Sequence, residues 1–239
     1  MEEMAVQGIS RGSIDGGITP LQRESFQQQI YKRLRNPLIA GSFFPGEAVS
    51  SRGLAQALDV SAMPVREALT RLTAEGALEL TNSRTLRVRV LTPDDFDEAT
   101  AIRLDLEAMA AIRAAGQATG EDAAAVRRLH RDLIAAAESV DADRYLSANA
   151  AFHSGIYTAA GWPLLLGMIQ RLWLIVGPSI RSSVPDRQHM ATSMQFHNAA
   201  AEAMEARDAT TLRSAVVDDI RTAAINIRAS LADEAGETT

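Results

Sequence analysis

Four polar side chains fall on helical faces that are otherwise apolar, and their chemistry suits the binding of an ion or a ligand. Asn149 and His153 stand four residues apart, so they lie one turn from each other on the same helical face. His197 and Asp219 each fall among the apolar residues of a later helical pattern. Because a buried polar group costs free energy unless it is satisfied, four such groups on three inward faces predict a shared polar site.

A divalent metal ion is one occupant that suits this set, because two imidazoles with oxygen donors can bind Zn, Ni or Mn. Arg103 falls on an earlier apolar face and could hold a carboxylate by a bidentate pair. It could also pair with Glu107, four residues further on. The candidate metal ligands are Asn149, His153, His197 and Asp219. The candidate effector-binding residues are Arg103, Asn149, His153, His197 and Asp219.

The inward histidines also have a plainer interpretation. A single buried histidine is more often a hydrogen-bonded core residue than a metal ligand. Without a metal, the same groups could bind a polar organic acid through hydrogen bonds alone. His130 and His189 lack the apolar context of the other two histidines, so we expect them on the surface.

The elements that carry these residues are predicted to be helices throughout the rear part of the chain. Alanine, the best helix former, is abundant there, and Thr92 can cap the first helix. The clearest breaks are "GWP" at 161–163 and "ARD" at 206–208. The predicted helices span residues 94–117, 121–139, 141–160, 163–182, 190–206 and 208–231. The fold class is therefore mainly α, with an all-helical bundle over residues 92–231.

A second kind of chemistry is indicated by "DVSAMPVREALTRL", residues 59–72. Ser61 can cap a helix here, and Pro64 falls in the first turn, where its missing N–H does no harm. Gly76 ends the helical pattern. A short helix precedes this one, so the two form a helix-turn-helix. Arg66 lies off the apolar face of the second helix, where a guanidinium can bond guanine bidentately.

Two strands are predicted in the next stretch, "ALELTNSRTLRVRVL", with a polar tip at residues 82–85. Within it, Leu86, Val88 and Val90 alternate with arginines at 87 and 89. The front part is thus a winged helix-turn-helix over residues 21–91. Its first helix should run from Leu21 to Ile39, and Pro37 should end or kink it near Asn36.

Exposed arginines on the second helix and on the wing indicate an interface with double-stranded DNA. The wing arginines and Arg52 should contact phosphate, because a strand ribbon positions a protein on the DNA backbone. The predicted DNA-binding residues are Arg52, Ser61, Met63, Arg66, Arg84 and Arg87. The alternative is a small amphipathic bundle whose arginines are only solvated.

The distribution of charge also separates the two parts. The chain of 239 residues has a formal net charge of -6. Residues 20–90 contain ten Lys and Arg against six Asp and Glu, whereas residues 91–239 contain thirteen against twenty-one. A basic front and an acidic rear indicate two different tasks.

The remaining features predict where the chain acts. It contains no cysteine, which excludes disulfides and thiolate chemistry. The sequence has no basic-then-apolar leader and no apolar run that we expect to span a bilayer, so we expect a cytoplasmic protein without a membrane partner. Residues 1–20 and 232–239 have the composition of flexible tails.

The front part resembles the DNA-binding domain of GntR-type bacterial transcription regulators. The resemblance lies in "IYKRLRNPLIAGSFFPGEAVSSRGLAQALDVSAMPVREALTRLTAEGAL". The matching positions are Gly41, Pro45, Gly46, Glu47, Leu54, Ala55, Val60, Ser61, residues 64–69, Leu72, Glu75 and Gly76. Three features depart from the family: Ala62 replaces an arginine, "NSRTLR" replaces an Arg-Gly wing tip, and Pro37 interrupts a helix.

The rear part resembles the effector domain of the FadR-like branch of that family. "RLDLE", residues 103–107, and "NAAFH", residues 149–153, match two of its motifs. The resemblance implies a bundle of six or seven helices, in which four positions hold a metal in many members and small carboxylates bind beside it. Here Asn149 stands for an aspartate and Asp219 for a histidine, so the resemblance implies the pocket without settling the metal.

Together these features predict a ligand-responsive transcription regulator rather than an enzyme. We expect a homodimer that binds a palindromic operator as a repressor and is released by a small organic acid or related metabolite. One alternative is a hydrolytic enzyme, in which a metal held by the same residues activates water. The other is an architectural DNA-binding protein without an effector.

Overall fold

The computed structural model describes residues 25–139, 141–182 and 187–237, without the side chains of residues 187–189 and 232–237. The predicted tail over residues 1–20 and the predicted helix start at Leu21 lie outside these residues. Within them, a winged helix-turn-helix precedes an all-helical bundle, which confirms the predicted fold class.

Among the described residues, three helices and a two-stranded wing form the amino-terminal domain. They are α1 Phe26–Ile39, α2 Ser51–Ala57, α3 Ala62–Ala74, β1 Leu78–Leu80 and β2 Leu86–Val88. Val65 and Leu72 of α3 are fully buried, as the apolar spacing predicts. Ser61 stands at the N-cap of α3, but its side chain accepts no capping hydrogen bond. The third helical residue is Pro64, which lacks the N–H that such a cap would bond.

The first helix ends where the sequence predicts, at Ile39. Within the described residues it begins after Ser25, whose Oγ accepts a hydrogen bond from the backbone N–H of Gln28 at 3.2 Å. At its other end, α1 continues through Pro37 to Ile39 rather than ending at Asn36. The proline falls in the last turn, so its missing N–H removes a single intrahelical hydrogen bond.

The wing is shorter than the sequence predicts. β1 and β2 pair antiparallel, with Leu78 opposite Val88 and Leu80 opposite Leu86. Arg84 adopts a φ of 59° at the tip, where its backbone N–H donates to Thr81 O at 2.8 Å. The alternation of apolar and basic residues stops at Val88, because the strand ends there and the Val90 side chain is 45% exposed.

In the part of the rear domain that the structure describes, six helices form the carboxy-terminal bundle, as predicted. They are α4 Pro93–Gln117, α5 Gly120–Ser139, α6 Ala142–Ala159, α7 Pro163–Ser182, α8 Arg187–Ala206 and α9 Ala209–Glu237. Small side chains let the helices approach closely: Ala110, Ala111 and Ala114 of α4 have no exposed surface. Thr92 caps α4 by accepting a hydrogen bond from Asp95 N at 3.1 Å.

The last helix extends beyond its predicted end at Leu231. α9 continues to Glu237, although the composition of residues 232–239 predicts a flexible tail. Alanine and glutamate are strong helix formers, and no glycine or proline interrupts "ADEA" before position 236. The last two residues, 238 and 239, lie outside the described part of the chain.

Helix α7 joins the two domains, because its side chains pack into the cores of both. Leu174 is fully buried in the core of the amino-terminal domain, whereas Ile169 is buried in the bundle. Gly177 allows the closest approach: a Cβ at this position would lie 2.3 Å from Leu38 O and 2.8 Å from Ile39 O. The backbones of α1 and α7 therefore touch without a side chain between them.

The same helix changes one expectation from the sequence. By length and composition, α7 could cross a membrane, although no apolar run of that kind was expected. Half of its apolar window is buried inside the protein. Leu165, Ile169 and Trp173 line the bundle core, so the apolar composition of α7 has an explanation in its packing.

A pair of glycine substitutions within α7 tests the close joint. Gly177→Ala should lower the free energy of unfolding by about 1–3 kcal/mol, because the new methyl group overlaps the α1 carbonyls. Gly167→Ala is the matched control, since a Cβ there meets nothing within 4 Å. Its better helix propensity should stabilise the protein by up to about 1 kcal/mol. Equal effects of the two substitutions in urea unfolding would contradict the joint.

Candidate functional site

Three side chains from three different helices meet in the bundle core. His153 of α6, His197 of α8 and Asp219 of α9 each place one ligand atom within 4.8 Å of the others, and all three are buried. The two Nε2 atoms lie 3.3 Å apart. Asp219 Oδ2 is 3.2 Å from Nε2 of His153 and 3.6 Å from Nε2 of His197. Three of the four predicted ligands thus converge, and we call this group the His–His–Asp centre.

The spacing of these three atoms fits one face of a metal coordination shell. Ligands bound about 2.0–2.1 Å from a tetrahedral zinc ion lie about 3.3–3.4 Å from one another. The donor set of two imidazoles and one carboxylate suits Zn, Ni or Mn. Nδ1 of His197 is buried and has no hydrogen-bond partner within the described residues. The three residues therefore fit a divalent ion in both geometry and chemistry.

A hydrogen-bond chain behind His153 sets which nitrogen of its ring carries the proton. The hydroxyl of Tyr157 donates to Glu107, so its oxygen is free to accept from Nδ1 of His153 at 3.0 Å. A neutral ring with its proton on Nδ1 leaves the lone pair of Nε2 facing the centre. That lone pair faces Oδ2 of Asp219 and Nε2 of His197, so either a proton on Nε2 of His197 or a cation must lie among the three atoms.

The carboxylate of Glu107 accepts several hydrogen bonds of this network, and we call Glu107 the hub. It has no exposed surface. Its Oε1 accepts from Arg103 Nε at 2.7 Å and from Trp173 Nε1 at 3.0 Å, while its Oε2 accepts from Tyr157. The predicted pairing of Arg103 with Glu107 is confirmed. The guanidinium carbon of Arg103 also lies 5.0 Å from the centre of the Trp173 ring. A direct contact between Arg103 and an effector stays a prediction.

The charges of the centre shift the pKa values of its acidic groups in opposite directions. Burial alone would raise the pKa of Asp219, but its electrostatic and hydrogen-bond interactions with His197 and His153 hold it well below its usual range. Burial raises the pKa of Tyr157 well above its usual value, and the charge of Glu107 raises it further. The pKa of Tyr145 is also raised by burial and by Asp219. Asp219 therefore remains an anion suited to a cation.

The other predicted residues of the rear domain differ in their surroundings. Asn149 lies one turn before His153 and is half-buried, and its place as a metal ligand stays a prediction. His130 is not a free surface residue, because its Nε2 pairs with Asn198 Oδ1 at 2.8 Å and its ring lies 5.6 Å from that of Phe152. Burial lowers the pKa of His130. The side chain of His189 lies outside the described residues.

Tyr145, Tyr157 and Trp173 are not among the functional residues predicted from the sequence. One signal could have found the two tyrosines. Tyr145, Asn149, His153 and Tyr157 follow one another at intervals of four along α6, so they form a single polar row on a buried face. Trp173 has no such signal, because only the packing of α7 against α4 brings its N–H to Glu107.

The predicted DNA contacts are exposed side chains of the amino-terminal domain, and two of them share one groove. This groove between α3 and the wing is lined by Arg66 and Thr70 on one side and by Leu80 and Arg84 on the other. Arg66 and Arg84 are exposed, and Met63, three residues before Arg66 on α3, has 64% of its surface exposed. Three further predicted contacts are also exposed: Arg52, Ser61 and Arg87. This arrangement fits a helix that reads bases and a wing that touches phosphate.

Arg89 differs from the other wing arginines. Its Nη2 donates to Asp95 Oδ2 at 2.9 Å, and both side chains are about one third exposed, at 34% and 39%. The sequence groups Arg89 with Arg84 and Arg87 as a phosphate contact. The structure instead places it at the base of the wing, where it ties β2 to the start of α4. Because the guanidinium of Arg89 already pairs with the carboxylate of Asp95, it is a poorer partner for a DNA phosphate.

Comparisons with known proteins match both domains. The family model described as the FCD domain matches residues 98–222. The model described as bacterial regulatory proteins of the gntR family matches residues 26–88. The two matches coincide with the bundle and with the winged helix-turn-helix, as the resemblance in the sequence implies.

Relatives with solved structures or curated names agree with these matches. The HTH-type transcriptional regulator McbR of Escherichia coli is 32% identical over 164 residues, which cover 69% of this chain and 74% of McbR. The solved structure of E. coli McbR/YncC has a TM-score of 0.77 at 27% identity, covering 83% of this chain and 95% of that one. The E. coli transcriptional repressor GlaR is 29% identical over 60% of this chain and 67% of its own.

A substitution at the hub tests the buried network. Glu107→Gln should lower the free energy of unfolding by about 3–5 kcal/mol, because it leaves the buried Arg103 without a counter-charge. Asp218→Asn is the matched control, since Asp218 faces Arg221 at 3.6 Å on the exposed face of α9. It should change stability by less than about 0.5 kcal/mol. Chemical denaturation measures both, and a loss at Glu107 no larger than the control would contradict the network.

A second prediction concerns the base-reading helix. Arg66→Ala should weaken binding to duplex DNA selected by this protein from a random pool by about 1–3 kcal/mol, and relax preference at one base pair. Arg84→Ala should instead flatten the salt dependence by about one unit of slope. Arg128→Ala, an exposed arginine on α5, is the control. Unchanged affinity and base preference in a folded Arg66→Ala protein would refute the assignment.

Proposed function

We propose a mechanism from the premise that this chain belongs to the GntR family of bacterial regulatory proteins and carries an FCD domain. The chain is a transcription regulator, whose amino-terminal domain binds DNA and whose bundle binds a small-molecule effector. In our proposal it is a cytoplasmic repressor, and a small organic acid bound at the His–His–Asp centre releases it from DNA. The convergence of His153, His197 and Asp219 carries this proposal.

The proposed effector site is the His–His–Asp centre with a divalent ion in it. His153 and His197 would hold the ion through Nε2, Asp219 through a carboxylate oxygen, and Asn149 would be a neutral fourth ligand. A carboxylate in place of the usual histidine shifts the preference from zinc towards manganese and other ions that favour oxygen ligands. When bound, the ion supplies an open coordination position for the carboxylate of the effector.

The residues of the chain supply the rest of the mechanism. Glu107 and Tyr157 hold the proton of His153 on Nδ1, so that Nε2 can bind, and the apolar rings of Trp173 and Phe152 keep water away from the centre. Trp173 lies on α7, the helix whose Leu174 is buried in the DNA-binding domain. A shift of the His153 ring against the Trp173 ring would therefore be transmitted to the DNA-binding domain through α7.

Elemental analysis of the purified protein tests the site. We expect about one divalent ion per chain in the wild type and loss of that ion in His153→Ala and in His197→Ala. His130→Ala is the matched control, because His130 is a histidine outside the centre, and it should keep the ion. The proposal would be contradicted by a wild type that contains no metal and whose melting temperature does not rise with added Mn, Zn or Ni.

We further propose that the protein binds a palindromic operator as a homodimer. One recognition helix covers few base pairs, and two-fold proteins match two-fold DNA sites. Exposed apolar side chains on α4 and in the turn before α7 line one surface hollow and support a contact with a second copy. This apolar patch consists of Met109, Ile112 and Trp162.

Charge introduced into the apolar patch tests the dimer. The double variant Met109→Glu/Ile112→Glu should sediment as a monomer at micromolar concentration, because two carboxylates would be desolvated in the interface. Ile225→Glu is the control, since Ile225 is 70% exposed on α9 and does not belong to the patch. A dimer that survives the double substitution would exclude this surface, and a monomeric wild type with and without DNA would exclude the dimer.

A further inference from the structure

A cavity of about 270 Å³ lies between the two domains, separate from the DNA-reading surface. One wall comes from α1, with Arg35, Asn36 and Ile39. The opposite wall comes from α6 and α7, and it includes Ile169, Gln170 and Trp173. The cavity is thus lined by both the DNA-binding domain and the effector domain.

The charge at the rim of this cavity is unbalanced. Arg35 is half-buried, and its Nη2 donates to the amide oxygen of Gln170 at 3.1 Å. Within the described residues, no carboxylate lies at ion-pair distance from its guanidinium. A half-buried guanidinium bonded to a neutral amide keeps donors for a planar anion.

The inner wall is apolar and aromatic. Ile169 and Trp173 are buried there, and Ile39 faces them from α1. The volume is just below the range of about 300–1,000 Å³ of typical small-molecule sites, so a compact ligand fits best. A cation at the rim and an aromatic wall behind it together select an anion with a small apolar body.

From these contacts we propose that the interdomain cavity binds a small apolar monocarboxylate, with its carboxylate on Arg35 and its body against Trp173. The ligand would touch both domains at once. The inference rests on the proposed regulatory function, but it does not require a metal at the His–His–Asp centre.

Two sets of contacts connect this cavity to the rest of the molecule. Tyr157 lines the cavity and also belongs to the hydrogen-bond chain behind His153. On the other side, the hydroxyl of Tyr31 in α1 donates to Glu75 at 2.5 Å, at the end of the base-reading helix α3. Burial and this hydrogen bond raise the pKa of Tyr31 to about 12, so its proton stays in place. A ligand that displaces α1 therefore moves α3 with it.

Calorimetric titration of the full-length protein in EDTA tests the cavity with defined probes. Benzoate has both the charge and the apolar body, benzamide has only the body, and acetate has only the charge. We expect benzoate to bind at least tenfold more tightly than either of the other two. Because EDTA removes metal ions, binding at a metal centre does not contribute to this result. Equal affinities of the three probes, or no benzoate binding, would overturn the proposal.

Three variants place the binding in the cavity. Arg35→Gln should lower benzoate affinity about tenfold, to the level of benzamide. Arg33→Gln, which removes an exposed arginine from the same helix, should have no effect. Ala151→Phe should abolish binding by filling the cavity from its exposed edge, and it keeps the test open if Arg35→Gln does not fold. Full benzoate affinity in Ala151→Phe would overturn the proposal.

The wild-type controls separate this inference from the function on which it rests. If the wild type binds selected duplex DNA and contains metal but does not bind benzoate, the interdomain site is wrong and the proposed function stands. The opposite result is a wild type that binds benzoate in EDTA, contains no metal and shows no rise in melting temperature with added Mn, Zn or Ni. In that case the interdomain site stands and the proposed metal site fails.

Discussion

The structure of the His–His–Asp centre depends on the burial of one carboxylate. Glu107 has no contact with solvent, and an ionised carboxylate in such a place must be satisfied by hydrogen bonds. Three donors from three helices meet it: Arg103 of α4, Tyr157 of α6 and Trp173 of α7. The carboxylate therefore fixes the relative positions of these helices and, through Tyr157, the proton of His153.

This constraint explains why a charged network persists in a core built largely from alanine. A buried ion pair adds little net stability compared with an apolar core, because both charges lose their hydration. What the network supplies is orientation. It aims Nε2 of His153 at Asp219 and His197, and it places the Trp173 ring between the centre and the interdomain cavity. The interaction is therefore better explained by binding than by stability.

The sequence predicts the elements better than it predicts the contacts between them. Periodicity and turn residues predict all six bundle helices, and the polar residues on apolar faces identify His153, His197 and Asp219. The hub could not be identified in this way. Glu107 is visible only as a partner for Arg103, because helical spacing shows neighbours along one helix and not donors from another. The tight contact at Gly177 is hidden for the same reason, since only the packing of α7 against α1 requires a glycine there.

The central claim is that Glu107 and Tyr157 fix the tautomer of His153, and ¹⁵N NMR of the histidine rings tests it most directly. The spectrum should be recorded on metal-free protein at a pH at which the ring nitrogen shifts themselves show a neutral imidazole. We predict the proton on Nδ1 of His153 in the wild type and a mixture of both tautomers in Tyr157→Phe. A proton on Nε2 in the wild type, or identical spectra for the two proteins, would contradict the account.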